Sequence, residues 1–396
     1  MIYTLKNPIK NFPWGSRTAI RDYFGIDNST CEHQAELWMG AHPSASSSIS
    51  QEGIDVTLFD AIAKNPDYWL GKSAKQHSSS LPFLMKILAA EDPLSIQVHP
   101  SRAAAELGFT VENGQGVPLG AANRNYKDAN HKPELVYALT PYLAMNGFRE
   151  FEQIIANFDS LELPSLKELF QPFKQEPNPL TLSKFFSSIL KLDNEQKAQV
   201  ITELLVSIKT IDKDHFAYQT SLLISRFHQL YPEDIGLFGP LLFNVIELQP
   251  GQAMFLYAET PHAYVHGLGV EVMANSDNVL RAGLTPKHID VEELVKNTKF
   301  EPIAFEELLM KPINAQSERE IYPVPVEDFN FDVLHPQDEM TLTVSSPEIL
   351  LCLSEKVTIR TDVESRVLCK GESVVLPASL GVYCISGKGS LARAYC

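Results

Sequence analysis

The chain has 396 residues, of which 44% are hydrophobic and 21% charged, and a formal net charge of −16. That length calls for two or three packed units, with the apolar content of an ordinary globular protein. The acidic balance argues against nucleic acid as a partner, and no apolar stretch reaches the length of a membrane span.

The opening run MIYTLKNPIKNFPWGS lacks the apolar core of a secretion signal. Cys31, Cys352, Cys369, Cys384 and Cys396 are odd in number, with no pair at zinc-finger spacing. Reduced thiols and a cytoplasmic location are expected, not a disulfide framework.

From residue 1 to 148 short β-like runs (ELWMGAHPSAS, LPFLMKILAA, PLSIQVHP, HKPELVYAL) alternate with Gly, Pro and Ser clusters, as in an all-β sandwich. From 149 to 240 the period changes. Phe151, Ile154, Ile155 and Phe158 form a helical stripe, and QVITELLVSIKTI repeats it after a cap at Asp193. From 241 to 320 strands return in FNVIELQPGQAMFLY and GVEVMANSDNVLRAGLTP, with a helix at VEELVKNT; 321–396 reads as a second, small antiparallel sandwich. The expected fold is mainly β with an α insertion: one β domain split by a helical block, then a second β domain.

Gln97 and His99 are two apart, so on a strand they share a face while Val98 takes the other. Lys132 and Glu134 alternate in the same way across Pro133, leading into the apolar run Leu135, Val136, Tyr137. In PGQAMFLYAETPHAYVHG a turn at Pro250–Gly251, a strand over Met254 to Tyr257 and a turn at Thr260–Pro261 lead to His262. This turn–strand–turn–His arrangement resembles the second metal motif of the cupin jelly rolls. His266 competes with His262; the turn-end position favours His262, because His266 precedes a Gly-Leu-Gly run that reads as mobile. Two imidazoles, a carboxylate and an amide oxygen suit an open zinc site, and the glutamine also admits manganese or iron.

The run ANSDNVLRAGLTPKHID places Asp277 four residues before Arg281. A helical turn would pair the two on one face. If Arg281 faces the cleft instead, its fixed fork could hold a phosphate or an enediolate oxygen.

Taken together, NFPWG, ELWMGAHPSAS, QVHP, DANHKPELVYALTP, MNGFRE and TPHAYVHGLGVEVMANSDNVLRAGLTPKHIDV resemble the type I mannose-6-phosphate isomerases, from Trp14 to about Val291. The resemblance implies two cupin (jelly-roll) sandwiches with a helical insertion and one Zn2+ per chain on Gln97, His99, Glu134 and His262. It puts the active-site arginine at Arg281 and further pocket residues at Lys132, Asp277, Glu271, Tyr264, Ser95 and Trp14. Lys86 also matches, although it reads equally well as an ordinary strand lysine.

The implied reaction interconverts mannose 6-phosphate and fructose 6-phosphate through a cis-enediol(ate), the metal polarising the sugar oxygens and Arg281 adding fixed positive charge. Lys132 is the first candidate for the proton carrier, with phosphate binding as its competing role. Asp277 would assist ring opening or orient Arg281, and Trp14 would wall the sugar. His131 should face away from Lys132 and serve packing. The expected partner is a small phosphosugar, with no nucleic acid, no membrane and a monomeric chain. The rival readings are a non-catalytic sugar-binding cupin and a metal-dependent cupin oxygenase.

Overall fold

A computed structural model describes residues 1–75, 79–315 and 317–396. The strands expected in the first and third segments join into one eleven-stranded antiparallel sheet that folds back on itself. Its organiser is the 13-residue strand His262–Ala274. The second half of this strand pairs with Phe83–Ala90 on one side and Glu134–Ala138 on the other. Its first half pairs with Tyr142–Phe148, and His262 pairs with Gln97.

The strand changes partners at a bulge opposite Leu143 and Ala144, followed by Gly267. Sandwich corners are commonly made this way. Gly267 has φ +129°, and a Cβ there would lie 2.7 Å from the Pro141 carbonyl oxygen, so the corner requires glycine. The Gly-Leu-Gly run that reads as mobile in the sequence is therefore the interior of a long strand.

The helical block forms as its stripes predict. Phe151–Asp159 is a helix, and Asp193 caps Asn194–Ser207 in a capping box with Gln196. Its core of Phe158, Phe170, Phe173, Phe185 and Phe227 is continuous with Ile96, Val98, Leu280 and Ala282. Those four lie on the short strands Ile96–Val98 and Leu280–Gly283, which pair with each other. At about 1.5–3 kcal/mol per buried large side chain, this packing stiffens the backbone that carries Gln97 and Arg281. Among the described residues four helices of the first segment, Ala19–Phe24, Leu58–Lys64, Pro66–Leu70 and Arg102–Gly114, lie in a stretch that reads as all β.

Beyond residue 317 a six-stranded and a four-stranded sheet form the second sandwich. Leu350, Val357, Ile359, Tyr383, Ile385 and Leu391 fill the space between them. Alternate residues of the six-stranded sheet, including Val333, Ile349, Leu351 and Ala392, pack against Leu37, Met85, Leu135 and Val272 of the first sandwich. Tyr3–Thr4 is an edge strand of the six-stranded sheet, paired to Val374 and Val375. The two ends of the sequence thus meet in one sheet. The five cysteines are unpaired. Among the described residues no helix is long and apolar enough to cross a membrane.

Candidate metal centre and substrate cavity

His99, Glu134 and His262 are fully buried and converge, with one potential ligand atom of each within 4.8 Å of the others. Local structure fixes the tautomers. The Nδ1–H of His99 donates to the Asn278 carbonyl at 2.7 Å, and that of His262 to the Thr260 carbonyl at 2.9 Å. A carbonyl can only accept, so each Nε2 is left with its lone pair. Both Nε2 atoms are buried without a hydrogen-bond partner, 3.4 and 3.5 Å from the Glu134 oxygens but poorly directed towards them. Two orphaned imidazole nitrogens facing one carboxylate are a donor set for a cation.

The charge balance agrees. Glu134 lies 2.7 Å from the Lys132 ammonium, and Glu271 lies 2.7 Å from that of Lys86, with Glu36 at 3.9 Å. Three buried carboxylates thus face two lysines, leaving one negative charge in excess. Burial pushes the Glu134 carboxyl up, but Lys132, then the two imidazoles, outweigh this and hold it well below the usual carboxylate range. Burial likewise opposes the Lys86 ammonium, and Glu271 and Glu36 overcome it, keeping that lysine charged above its ordinary range. The His99 imidazole is pushed down to about 4, chiefly by burial and then by Lys132, so it stays neutral and able to ligate.

In front of this cluster lies a cavity of about 710 Å³. Its walls include Gln97, Glu134, Lys132, Arg281, Asp277, Trp14, Ser95, Lys86, Tyr264 and Glu271, all expected from sequence to serve the site. His99 and His262 sit behind that wall. Gln97 occupies the register position between His262 on one neighbouring strand and Arg281 on the other. Tyr264 donates to Glu134 at 3.2 Å, and Trp14 stacks on Phe12 with ring centroids 5.7 Å apart.

Several local expectations change. His266 is exposed and bonds the Glu91 carbonyl, away from the cluster. Arg281 lies on a strand and Asp277 in coil, so the helical pairing of the two does not form; the nearest ion-pair partner of Asp277 is His42 Nε2 at 3.7 Å. Lys132 precedes the strand, which opens at Glu134, yet it still reaches the carboxylate.

The sequence reading missed Lys10, Glu36, Trp38 and Lys287 on the cavity wall. Glu36 and Trp38 share the period-two face of ELWM, and Trp38 registers opposite Lys86. That alternation was the available signal. Arg281 and Lys287 have no ion-pair partner among the described residues. Burial lowers both, and Lys287 is lowered further by Arg281 and Lys127. Together they make an electropositive wall suited to an anion.

The sequence matches the family descriptions "phosphomannose isomerase type I, catalytic domain" over residues 2–151, "phosphomannose isomerase type I, helical insertion domain" over 155–243, and "mannose-6-phosphate isomerase, cupin domain" over 318–396. It is 47% identical over 394 residues to the mannose-6-phosphate isomerase of Salmonella typhimurium, covering 99% of this chain and 98% of that protein. It is 35% identical over 350 residues to the human protein of the same name, covering 83% and 79%. A crystal structure of a phosphomannose isomerase variant from Salmonella typhimurium superposes with TM-score 0.95 at 45% identity, covering 100% and 99% of the two chains. A zinc-bound mannose 6-phosphate isomerase superposes with TM-score 0.93 at 45% identity and the same coverage. This mostly β chain with its helical insertion and C-terminal cupin domain belongs to the type I phosphomannose isomerases.

Proposed function

We propose that this isomerase interconverts mannose 6-phosphate and fructose 6-phosphate through a cis-enediol(ate), with one zinc held by Gln97, His99, Glu134 and His262. The observation that carries the reading is the pair of orphaned, buried imidazole nitrogens clustered with Glu134 beside a cavity with a cationic wall. Zinc bound there would act as a Lewis acid on the sugar oxygens at C1 and C2. The remaining work falls to the chain's own side chains.

Arg281, paired in register with Gln97 on the neighbouring strand, supplies fixed positive charge where the enediolate develops. Lys132 faces the cavity beside Glu134; as the neutral amine it takes the proton from one of C1 and C2, and as the resulting ammonium it returns the proton to the other on the same face of the sugar. Lys287 takes the phosphate with Arg281 as its neighbour, which frees Lys132 from that role. Asp277, half-exposed on the cavity wall, assists ring opening. Trp14 walls the sugar, Ser95 lends a hydroxyl, and the Lys86–Glu271 pair with Tyr264 sets the polarity of the floor.

The division at 148, 240 and 320 is retained as the proposed unit layout, with the first strand lent to the C-terminal sandwich. A monomeric enzyme of the cytoplasm completes the reading. Turnover of Lys132→Ala and Arg281→Ala should be measured with zinc content verified as normal. Near-wild-type turnover of either removes that residue from the mechanism. Isomerisation in D2O should place solvent deuterium on the product carbon, and none after many turnovers would exclude the enediol route.

A further inference from the structure

Lys132 is delivered to the site by a stretch of chain with no ladder of its own. Residues 127–133 run as bends and coil up to the strand at Glu134. Among the described residues no hydrogen bond to the Lys132 backbone fixes it. Side chains on either side hold the stretch instead. Asp128 accepts from the Asp277 amide at 2.7 Å and from the Ser276 hydroxyl at 2.8 Å. Asn130 donates to the Asn275 carbonyl at 3.0 Å. These bonds tie the coil to the sandwich that bears the metal centre.

On one flank of Lys132 the Pro133 carbonyl accepts from the Ala274 amide at 3.2 Å; on the other the tie comes from elsewhere. His131 Nε2 donates to Asp328 Oδ2 at 2.7 Å, and Arg102 Nη2, itself 2.7 Å from that ring nitrogen, donates to Asp328 Oδ1 at 2.8 Å. Asp328 is 3% exposed, so this carboxylate satisfies both of its oxygens in a dry setting. It is itself well anchored. Phe329, the next residue, is fully buried within the core shared by the two sandwiches, and Asn330 opens the first strand after it. His131 and Lys132 are consecutive and reach in different directions, one to Asp328 and the other to Glu134. Releasing the His131 ring therefore loosens the N-terminal flank of the lysine, while the Pro133 carbonyl still holds the other flank.

We propose that Asp328, on the loop between the strands Arg319–Tyr322 and Asn330–Leu334 of the C-terminal sandwich, is a positioning residue for Lys132: through His131 it fixes the coil that points the lysine side chain at Glu134 and the cavity. The second sandwich then contributes to catalysis as well as to packing, although none of its residues need touch the sugar. The inference rests on Lys132 being the proton carrier. A misplaced proton carrier costs rate more than binding, because the bound sugar keeps its other contacts.

The test uses the full, zinc-loaded chain, with kcat and KM for mannose 6-phosphate, zinc content and thermal midpoint measured for each variant. Asp328→Ala should lower kcat on the order of ten- to a hundred-fold with KM little changed. Asp328→Asn, whose amide oxygen still accepts from His131, should recover much of that loss. Asp328→Ala placed on Lys132→Ala should slow the enzyme no further, since the residue to be positioned is gone. If Asp328→Ala does not fold, His131→Ala removes the same bond and should show the same dependence on Lys132.

Wild-type kcat in Asp328→Ala, or the same fold-loss with and without Lys132, overturns the proposal. Wild-type kcat in Lys132→Ala overturns it too, and marks the fault as the reading of Lys132 rather than the contact with Asp328.

Discussion

Replacing Asn278 by alanine should damage the metal centre without touching a ligand. The Asn278 side chain is fully buried, and its Oδ1 accepts from the Lys127 amide at 2.7 Å. Its Nδ2 donates to the Asp128 and Asn130 carbonyls at 2.8 and 2.9 Å. These three bonds lock the coil over residues 127–130 to the one over 275–279. At about 1 kcal/mol each, their loss destabilises the chain by about 3 kcal/mol.

The specific consequence concerns His99, whose Nδ1–H donates to the backbone carbonyl of this same residue. With the loop loosened, that carbonyl no longer holds the ring. Metal affinity should fall by about ten- to a hundred-fold, as when an outer partner of a ligating histidine is lost. Chelator competition would measure the affinity, and thermal unfolding of the metal-free chain the stability. Asn278→Asp should be no better, because it cannot donate and sets a carboxylate beside Asp128. A variant that loses stability but keeps wild-type zinc affinity would refute the reasoning, since the carbonyl would then hold His99 without the side chain.

Acid should destabilise the metal-free chain. The folded pKa of His99 is lowered to about 4, first by burial, so the unfolded chain binds the extra proton in the window between. The stabilisation is fully present above about pH 6.5 and is lost as pH falls towards 4, up to about 3 kcal/mol, with Glu134 acting in the same sense below the usual carboxylate range. Urea midpoints at pH 7 and pH 5 after chelation would show the difference, and equal midpoints would contradict it. In the C-terminal sandwich Arg393 donates to both Asp332 oxygens, at 2.9 and 2.5 Å, and lies 3.4 Å from Glu348, all three being buried. Arg393→Met should cost about 3 kcal/mol by stranding those carboxylates, even though Arg319 still reaches Asp332, and an unchanged unfolding midpoint would speak against it.

What could be read in the sequence followed from local periodicity. The period of two put Gln97 and His99 together, and the helical stripes with the Asp193 cap gave the insertion its helices. The misreadings are tertiary in origin. Gly267 looked like a loop residue because a strand that turns a sandwich corner needs glycine, and only the partners Tyr142–Phe148 and Phe83–Ala90 reveal the corner. Asp277 and Arg281 have helical spacing, but pairing of Leu280–Gly283 with Ile96–Val98 overrides it. The helix Arg102–Gly114 had a readable signal in its Ser101 cap and alanine-rich first turn, obscured by the strand before it. The pairing of Tyr3 with Val375 and the contact of His131 with Asp328 span nearly 200 residues or more, beyond the reach of any pattern within one segment.

The central claim is that zinc on Gln97, His99, Glu134 and His262 makes this chain an isomerase of mannose 6-phosphate. Its most direct test is zinc content and mannose 6-phosphate turnover measured on the same samples: the purified chain, the chelated chain, the chain after zinc add-back, and His262→Ala. The account predicts one zinc per chain, loss of turnover on chelation, recovery with zinc, and a His262→Ala protein that neither retains the metal nor turns over. Full turnover in the chelated chain, or normal zinc and turnover in His262→Ala, would contradict it.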